Sequence, residues 1–276
     1  PIMSIRLVAV DVDGTLVTAK QEILPRVRQA AADAAAHGVE LALCTGRSPG
    51  ECDYILDALP QLRYIVAYTG AQVLDLRTGE SLYHCPLSAD EARLIYSRLR
   101  RYDGLINFFS GGIVYNSGPQ MENFDRYYIP SVRMLFAHGH KIVDDLDGMI
   151  TRWDAPVEKF YVKYASEDEH RRAKEDLSQL PYFVTEAGFI DLEVMNPDTD
   201  KGVALAALAK RLGLRREEVM AIGDSSNDAA TLRYAGTAVV MENGSEALKK
   251  TADIIAPSNE KGGVADILEM IVQGEI

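Results

Sequence analysis

The chain has 276 residues, enough for one large domain or two smaller ones. Its formal net charge of -12 argues against nucleic-acid binding, and no apolar run approaches the roughly 20 residues of a membrane span. Cys44, Cys52 and Cys85 show neither metal-ligand spacing nor a disulfide framework, and the first residues do not read as a signal peptide, so we expect a cytoplasmic protein.

Apolar runs and helix-forming segments alternate in the first part of the chain. Residues 5–10 predict a buried strand, residues 26–38 an alanine-rich helix that ends at a glycine, and residues 39–44 a second strand. A helix over residues 49–59 and a strand over residues 64–68 follow. This order is typical of parallel strands joined by helices.

The pattern changes from about residue 71, where apolar and polar residues alternate through residue 84 and predict a hairpin around Thr78-Gly79. Residues 85–188 then read as a separate α+β unit. Its predicted helices cover 88–102 and 167–180, and its predicted strands cover 106–109, 112–116 and 158–164, with a strand pair within 183–195.

The alternation of helices and strands returns after Met195, with a predicted helix over residues 200–214 and a strand over residues 219–224. We therefore predict one α/β domain with a parallel sheet, formed by residues 1–84 and 189–276. An α+β domain of residues 85–188 is inserted into it.

Two aspartates stand at the end of the first predicted strand. In an extended chain the side-chain period is two, so Asp11 and Asp13 approach the same region, and ligands of open α/β sheets bind at the carboxyl ends of strands. A calcium-binding loop would need glycine at its sixth position, where Leu16 stands. Taken alone, the stretch leaves a solvated acidic turn as an alternative.

A second polar group follows the strand over residues 39–44. Thr45, Gly46 and Arg47 offer a hydroxyl, a backbone N–H and a guanidinium, which together suit an anion. An ordinary chain reversal is the alternative for this turn. Lys201 opens a predicted helix, where a cation is unfavourable for the helix dipole and so indicates an anionic partner; a solvated surface lysine is the alternative.

The strand over residues 219–223 also ends in acids, Asp224 and Asp228. If this strand neighbours the first one, Asp224 converges with Asp11 and Asp13, and like charges that close need a cation or a proton. Carboxylate oxygens suit a hard ion such as Mg²⁺. Helix capping is the alternative role for these acids.

Four segments therefore occur in a fixed order, "DVDGTLV", "CTGR", "DKGVAL" and "GDSSND". This order resembles the haloacid dehalogenase superfamily, and the later "VVMENGSEALKKTADIIAPSNEKGGVADIL" is similar to the tail of its Cof-type phosphatases. The resemblance implies a Rossmann-like core with a large α+β cap inserted between the second and third motifs. One departure is Thr69-Gly70-Ala71, where many Cof-type members carry Asn-Gly-Ala.

The resemblance also implies roles for individual residues. Asp11 would be the nucleophile, and Asp13 the general acid and base, with its backbone carbonyl at the metal. Lys201 would neutralise charge. Of the others, Thr45 and Gly46 would hold phosphoryl oxygens, Val12, Arg47, Asn196 and Asn227 are candidate phosphate- or substrate-binding residues, Asp224 would bind Mg²⁺ with Asp11 and Asp13, and Asp228 would orient the metal site and the lysine.

We therefore expect a Mg²⁺-dependent phosphatase that acts through an aspartyl phosphate on a small phosphorylated metabolite. Sugar phosphates are the first expectation, with flavin mononucleotide and pyridoxal phosphate next. We expect no nucleic-acid or membrane partner, and a monomer or homodimer. The alternatives are a phosphohexose mutase on the same core and a non-enzymatic phospho-receiver or binding module, which explains Asp11 but neither Asp13 nor the cap.

The predicted cap is less informative. Its aromatic residues either line a pocket or form its core, and the core is the commoner place for aromatic residues in short strands. These residues are Phe108, Phe109, Tyr115, Tyr127 and Tyr128. His138 and His140 lack further ligands nearby, so they indicate a polar loop rather than a metal site.

Overall fold

The computed structural model describes residues 4–127 and 136–276. The chain divides into two compact units. The first contains the described parts of Pro1–Gly46, Tyr54–His84 and Asp200–Ile276, and the second contains Arg47–Asp53 and the described parts of Cys85–Thr199. Tyr128 lies outside the described residues.

The strands and helices are given in chain order. The strands are β1 (Leu7–Val10), β2 (Glu40–Cys44), β3 (Tyr64–Ala67), β4 (Gln72–Asp75), β5 (Ser81–His84), β6 (Gly104–Ser110), β7 (Ile113–Ser117), β8 (His140–Val143), β9 (Lys159–Tyr164), β10 (Phe183–Thr185), β11 (Asp191–Met195), β12 (Val219–Gly223), β13 (Thr237–Met241) and β14 (Ile254–Ala256). The helices are α1 (Pro25–Ala36), α2 (Asp53–Ala58), α3 (Ala89–Leu99), α4 (Gly118–Glu122), α5 (Leu146–Thr151), α6 (Glu167–Leu177), α7 (Lys201–Arg211), α8 (Ala229–Tyr234), α9 (Glu246–Lys249) and α10 (Gly263–Gln273).

The first unit contains a mostly parallel sheet with the strand order β14-β13-β12-β1-β2-β3-β4-β5. The strands from β14 to β3 run parallel, and β4 and β5 add an antiparallel edge. The central strands are buried along their whole length, as expected where helices cover both faces of a parallel sheet. The predicted α/β class is confirmed.

Helices α7 and α8 pack on one face of this sheet, where small and branched side chains fill the space. Ala204, Leu205 and Leu208 of α7 are fully buried with Leu7 and Ala42 of the strands. The buried stripe of α7 fixes the helix on the sheet, so the position of its first residue follows from packing along the whole helix.

The sheet of the second unit has the order β10-β11-β9-β6-β7-β8. One face carries a continuous apolar core with helices α3, α5 and α6, and Phe108, Phe160 and Val162 are fully buried there. Phe109 and Tyr127 are also buried, and Tyr115 packs on Phe108 at a ring distance of 5.9 Å. These aromatic residues therefore belong to the packing of the unit.

The boundaries of the second unit differ from the predicted 85–188. It extends to Thr199, because β11 pairs with β9 in its sheet, and it includes Arg47–Asp53. Strand β8 and helix α5 did not emerge from the sequence pattern. His140, predicted in a polar loop, opens β8.

Across the parts of the chain that the structure describes, each helix is too short or too polar to cross a membrane.

We expect Leu208→Ala to destabilise the protein by about 2 to 4 kcal/mol, because it removes a fully buried side chain and leaves a cavity against the sheet. Urea unfolding followed by circular dichroism measures the change. Val203→Ala is the matched control on α7, since Val203 is 51% exposed and its truncation should change stability by less than about 0.5 kcal/mol. Equal losses for both variants would contradict this packing of α7.

Candidate active site

Three neighbouring strands of the first unit end at the same edge of the sheet. Val10, the last residue of β1, pairs with Leu43 of β2 and with Ile222 of β12. The residues that follow these strands are therefore neighbours at the carboxyl edge. Asp11 continues the ladder by donating its N–H to the Ile222 carbonyl at 3.0 Å, and Asp224 follows β12.

The Lys201 ammonium lies between two carboxylates at this edge. Its Nζ is 3.2 Å from Asp11 Oδ1 and 3.1 Å from Asp228 Oδ1, and all three side chains are almost fully buried. Asp200 caps α7 by accepting the Val203 N–H at 2.8 Å, which fixes the first turn of the helix that carries the lysine. The structure thus brings the predicted nucleophile, lysine and supporting acid together.

Burial dominates the electrostatics of this group. It raises the pKa of Asp11 well above its usual value, Asp228 adds to the rise, and Lys201 opposes it. Burial alone would lower the pKa of Lys201, but Asp11 and Asp228 outweigh it and the pKa is raised. The lysine is therefore a permanent cation in this site.

Asp224 completes the acidic group from the end of β12. Its Oδ1 accepts a hydrogen bond from the Thr15 hydroxyl at 3.0 Å. Gly14 has a φ of 79°, and a Cβ there would lie 2.5 Å from Asp224 Oδ2, so this turn requires glycine for both conformation and space. Burial raises the pKa of Asp224 to about 6, with Asp228 adding to the rise and Thr15 opposing it.

Asp228 holds the turn that carries Asp224. Its Oδ2 accepts the N–H groups of Asp224 and Ser225 at 3.0 and 3.2 Å, while its Oδ1 faces Lys201. A Cβ at Gly223 would lie 2.6 Å from the Asp228 carboxylate, so the strand end must be glycine for this side chain to fold back. One carboxylate therefore orients both the turn and the lysine.

Oxygen atoms of Asp11, Asp224 and Asp228 all lie within 4.8 Å of one another. Three carboxylates at this spacing repel unless a cation or protons intervene, and hard divalent ions prefer such an all-oxygen set. The donor set therefore fits Mg²⁺. The predicted set contained Asp11, Asp13 and Asp224; the contact of the Asp13 backbone carbonyl with a metal stays a prediction.

The Asp13 carboxylate is exposed, unlike that of Asp11. It accepts a hydrogen bond from Gln21 Nε2 at 3.2 Å, and Gln21 Oε1 accepts one from the Tyr54 hydroxyl at 2.9 Å. Sequence reasoning missed Gln21 and Tyr54, because neither belongs to a motif and their contacts span 8 and 33 residues.

Thr45 and the loop after β3 lie side by side. Thr45 is buried and its N–H donates to the Val66 carbonyl at 2.9 Å, while its carbonyl accepts the Thr69 N–H at 3.0 Å. Thr69 has a φ of 60°, a left-handed conformation that is unusual for a β-branched residue. A Cβ on Gly70 would lie 2.6 Å from Lys201 N, so this loop contacts the start of α7 directly.

The remaining predicted site residues are divided between the two units. Val12 is buried, and its carbonyl accepts the N–H groups of the following turn. Asn227 is exposed and accepts a hydrogen bond from the Ser225 hydroxyl at 2.7 Å. Arg47 and Asn196 belong to the second unit, where Asn196 Nδ2 donates to the Pro86 carbonyl at 2.8 Å. Their roles in phosphate or substrate binding stay predictions.

The family model for haloacid dehalogenase-like hydrolases matches residues 8–268. The chain is 29% identical to the putative phosphatase YxeH of Bacillus subtilis, over 97% of this chain and 98% of that one. It is 31% identical to a putative phosphatase of Streptococcus pyogenes, over 95% and 97% of the two chains. These relatives match the chain over nearly its whole length.

Two further comparisons extend this likeness. The chain is 26% identical to the 5-amino-6-(5-phospho-D-ribitylamino)uracil phosphatase YwtE of Bacillus subtilis, over 98% of this chain and 99% of that one. Among solved structures, a haloacid dehalogenase-like hydrolase from Bacteroides thetaiotaomicron has a TM-score of 0.86 at 26% identity, covering 97% of this chain and 100% of that one. Both units therefore have counterparts in a solved structure.

We expect Asp224→Asn to stabilise the metal-free protein at pH 7.5 by about 1 to 2 kcal/mol, a value discounted for partial exposure. The folded pKa of Asp224, about 6, exceeds the unfolded value of 3.8, so the favourable contribution of this group is present below pH 4 and is lost as the pH rises through 6. The gain should vanish at pH 4.

Thermal unfolding in chelator at pH 7.5 and pH 4 measures this effect. Asp228→Asn is the matched control, because Asp228 pairs with Lys201 and accepts two backbone N–H groups; its neutralisation should destabilise the protein. A loss of stability for Asp224→Asn at pH 7.5 would show that the ionised Asp224 carboxylate does not destabilise the folded protein.

Proposed function

Because the chain belongs to the family of haloacid dehalogenase-like hydrolases, we propose that it is a Mg²⁺-dependent phosphatase of small phosphorylated metabolites. The observation that carries this proposal is the buried Asp11 carboxylate held 3.2 Å from the Lys201 ammonium, beside Asp224 and Asp228. A carboxylate flanked by a fixed cation and further acids suits the transfer of a phosphoryl group, because that reaction depends on positioning and charge neutralisation.

In the proposed reaction, an Asp11 carboxylate oxygen forms a bond to phosphorus while the bond from phosphorus to the substrate oxygen breaks. The product is an aspartyl phosphate, an acyl phosphate that water then hydrolyses to inorganic phosphate and the free carboxylate. Lys201 places a permanent positive charge beside the attacking carboxylate and so offsets its repulsion from an anionic substrate.

Asp13 is the proposed general acid and base. It would give a proton to the leaving alcohol in the first step and take one from the attacking water in the second. Its exposed carboxylate, held by Gln21, supports exchange of this proton with solvent, whereas the buried Asp11 suits attack. The two neighbouring acids thus differ in environment as their proposed roles require.

Asp11, Asp224 and the Asp13 backbone carbonyl would hold the metal, and Thr45 with the Gly46 N–H would hold phosphoryl oxygens. When bound, Mg²⁺ would supply neutralisation of charge on the phosphoryl oxygens. Asp228 supports this arrangement by orienting Lys201 and the turn of Asp224 with its two oxygens. Because the pKa values of Asp11 and Asp224 are raised, a cation would compete with protons for these carboxylates, so cation binding and proton release would be coupled.

Substrates with a phosphate on a polyol or sugar are the proposed class. The relative named for 5-amino-6-(5-phospho-D-ribitylamino)uracil acts on a phosphate at the end of a ribityl chain, a group also present in flavin mononucleotide. Sugar phosphates and pyridoxal phosphate share the primary phosphate ester. A phosphate-release screen over these compounds tests the class, and transfer to a second sugar position without free phosphate would indicate a mutase instead.

We expect Asp11→Asn to lower phosphate release by roughly a thousandfold or more, because the amide cannot form the acyl phosphate. Asp13→Asn should lower it by roughly a hundredfold to ten-thousandfold through the loss of proton transfer. Steady-state phosphate release measures both. Asp33→Asn, an exposed change on α1, is the control, and wild-type turnover by Asp11→Asn would refute the nucleophile assignment.

We also expect thorough chelation to abolish phosphate release and added Mg²⁺ to restore it. Mg²⁺ at about 100 times its Kd should stabilise the folded protein by about 2.7 kcal/mol, since it binds only the folded site. The shift in thermal unfolding should be absent in Asp224→Ala, which lacks one of the clustered carboxylates. Activity that survives chelation would exclude the metal from the reaction.

A further inference from the structure

The side chain of His140, the first residue of β8, is buried between two polar partners of the second unit. Its Nε2 is 2.9 Å from Glu51 Oε1, and its Nδ1 is 2.6 Å from Asn116 Oδ1. The Phe136 ring lies 4.4 Å from the imidazole ring, centre to centre. The proposed reaction at Asp11 makes no use of this group.

The amide partners determine which atom of Asn116 faces the ring. Asn107 Nδ2 lies 3.2 Å from the Tyr161 carbonyl, which fixes it as the donor and leaves Asn107 Oδ1 as an acceptor. Asn116 Nδ2 then donates to Asn107 Oδ1 at 2.8 Å and to the Ile106 carbonyl at 3.3 Å. Asn116 must therefore present its oxygen to the histidine, so His140 Nδ1 carries a proton.

The other ring nitrogen faces an ionised carboxylate. Burial would raise the pKa of Glu51, but hydrogen bonds from His140 and Ser48 and charge interactions with His140 and Lys159 together outweigh it, so the pKa is lowered. Glu51 Oε2 also accepts the Ser48 N–H and hydroxyl at 2.8 and 3.1 Å. With acceptors at both nitrogens, the ring must donate twice, which defines a buried imidazolium paired with a carboxylate.

Other charged groups face this pair from the sheet. Lys159 acts on the Glu51 carboxylate and is itself paired with Glu193. The Tyr161 hydroxyl donates to Asp191 at 3.1 Å. Lys159 therefore adds positive charge near Glu51, whereas His140 makes the direct contact with its carboxylate.

Backbone segments around the pair also approach each other closely. A Cβ on Gly139 would lie 2.6 Å from the Gly50 carbonyl carbon, and one on Gly50 would lie 2.7 Å from the Gly112 oxygen. Side chains at these positions would separate the segment 47–53 from the entry to β8. Independently of the hydrogen bonds, the chain is therefore built to bring Glu51 against His140.

We propose that the His140 imidazolium and the Glu51 carboxylate are positioning residues that fix the segment 47–53. This segment continues directly from Thr45 and Gly46, which hold phosphoryl oxygens in the proposed function on which this inference rests. Glu51 fixes Ser48, the third residue after Thr45, through both its N–H and its hydroxyl. Through Ser48, the pair thus restrains the backbone that leaves the proposed phosphate-binding turn.

The protonation state is tested without any substrate. Ring nitrogen shifts in NMR spectra of the wild-type protein at pH 7, assigned by comparison with His140→Gln, should show the His140 imidazolium. A neutral ring with one protonated nitrogen at pH 7 would overturn the inference. This result does not depend on phosphatase activity, so it separates failure of the pair from failure of the proposed function.

Kinetics test the positioning role. His140→Gln and Glu51→Gln should each raise KM about tenfold for the best phosphorylated substrate with kcat within threefold, because a loosened turn weakens ground and transition states alike. The KM of the double variant should not exceed that of the more impaired single variant, since each change breaks the same interaction. His37→Gln, an exposed change on the first unit, is the matched control.

Unchanged KM values in folded variants, or effects that multiply in the double variant, would overturn the positioning role. If the charge-removing variants fail to fold by circular dichroism, Ser48→Ala replaces them. It removes the hydroxyl that donates to Glu51 Oε2 and accepts the Glu51 N–H, and it keeps both groups of the ion pair. It should raise KM about threefold, and an unchanged KM overturns the role there as well. If the wild-type protein releases no phosphate from any compound, the proposed function fails while the NMR result still decides the ion pair.

Discussion

The buried ion pairs of Lys201 with Asp11 and Asp228 are the interaction on which the site depends. Removing a charged amine and two carboxylates from water is costly, and only close pairing compensates it. The pairing requires that β1, β12 and the first turn of α7 meet within hydrogen-bond distance. The register of the sheet and the packing of α7 bring these three segments together. The chemistry of the site therefore constrains both the sheet and the helix.

The charges of this cluster do not cancel. Asp11, Asp224 and Asp228 with Lys201 leave two formal negative charges in excess at neutral pH. Burial raises the pKa values of Asp11 and Asp224, and repulsion from Asp228 adds to the rise. A divalent cation is opposite in sign to that excess and equal to it in magnitude. With the proposed metal bound, an anionic substrate would meet a neutral cluster rather than a repulsive one. The repulsion among these carboxylates, which we expect to destabilise the metal-free protein, would thus favour cation binding.

The fold and the site differ in how much of each follows from sequence. Strand ends that carry Asp11, Thr45 and Asp224 follow from apolar runs that stop at polar residues, and a parallel sheet brings such ends together. The apolar period of α7 predicts a helix that begins near Lys201, which places this residue in its first turn. These features are local in sequence, and the sheet order converts them into one site.

The rest depends on contacts between distant positions. Glu51 and His140 are 89 residues apart and neither belongs to a motif, so no sequence pattern indicates their contact. Strand β8 is short and its side chains are mostly exposed or half-buried, which removes the apolar alternation by which strands are recognised. The second unit also gains β11 because strand pairing, not composition, decides which sheet a strand joins.

Thr69 shows how the two kinds of information combine. In the sequence, Thr69 stands out only because the family resemblance implies asparagine at this position. The structure shows the conformation that the position requires, a φ of 60° that asparagine adopts more easily than a β-branched residue. Thr69 nevertheless keeps its N–H bond to the Thr45 carbonyl, and Gly70 keeps its approach to the first turn of α7. The left-handed Thr69 is therefore held where the turn after β2, the proposed phosphate-binding turn, meets the first turn of the helix that carries Lys201.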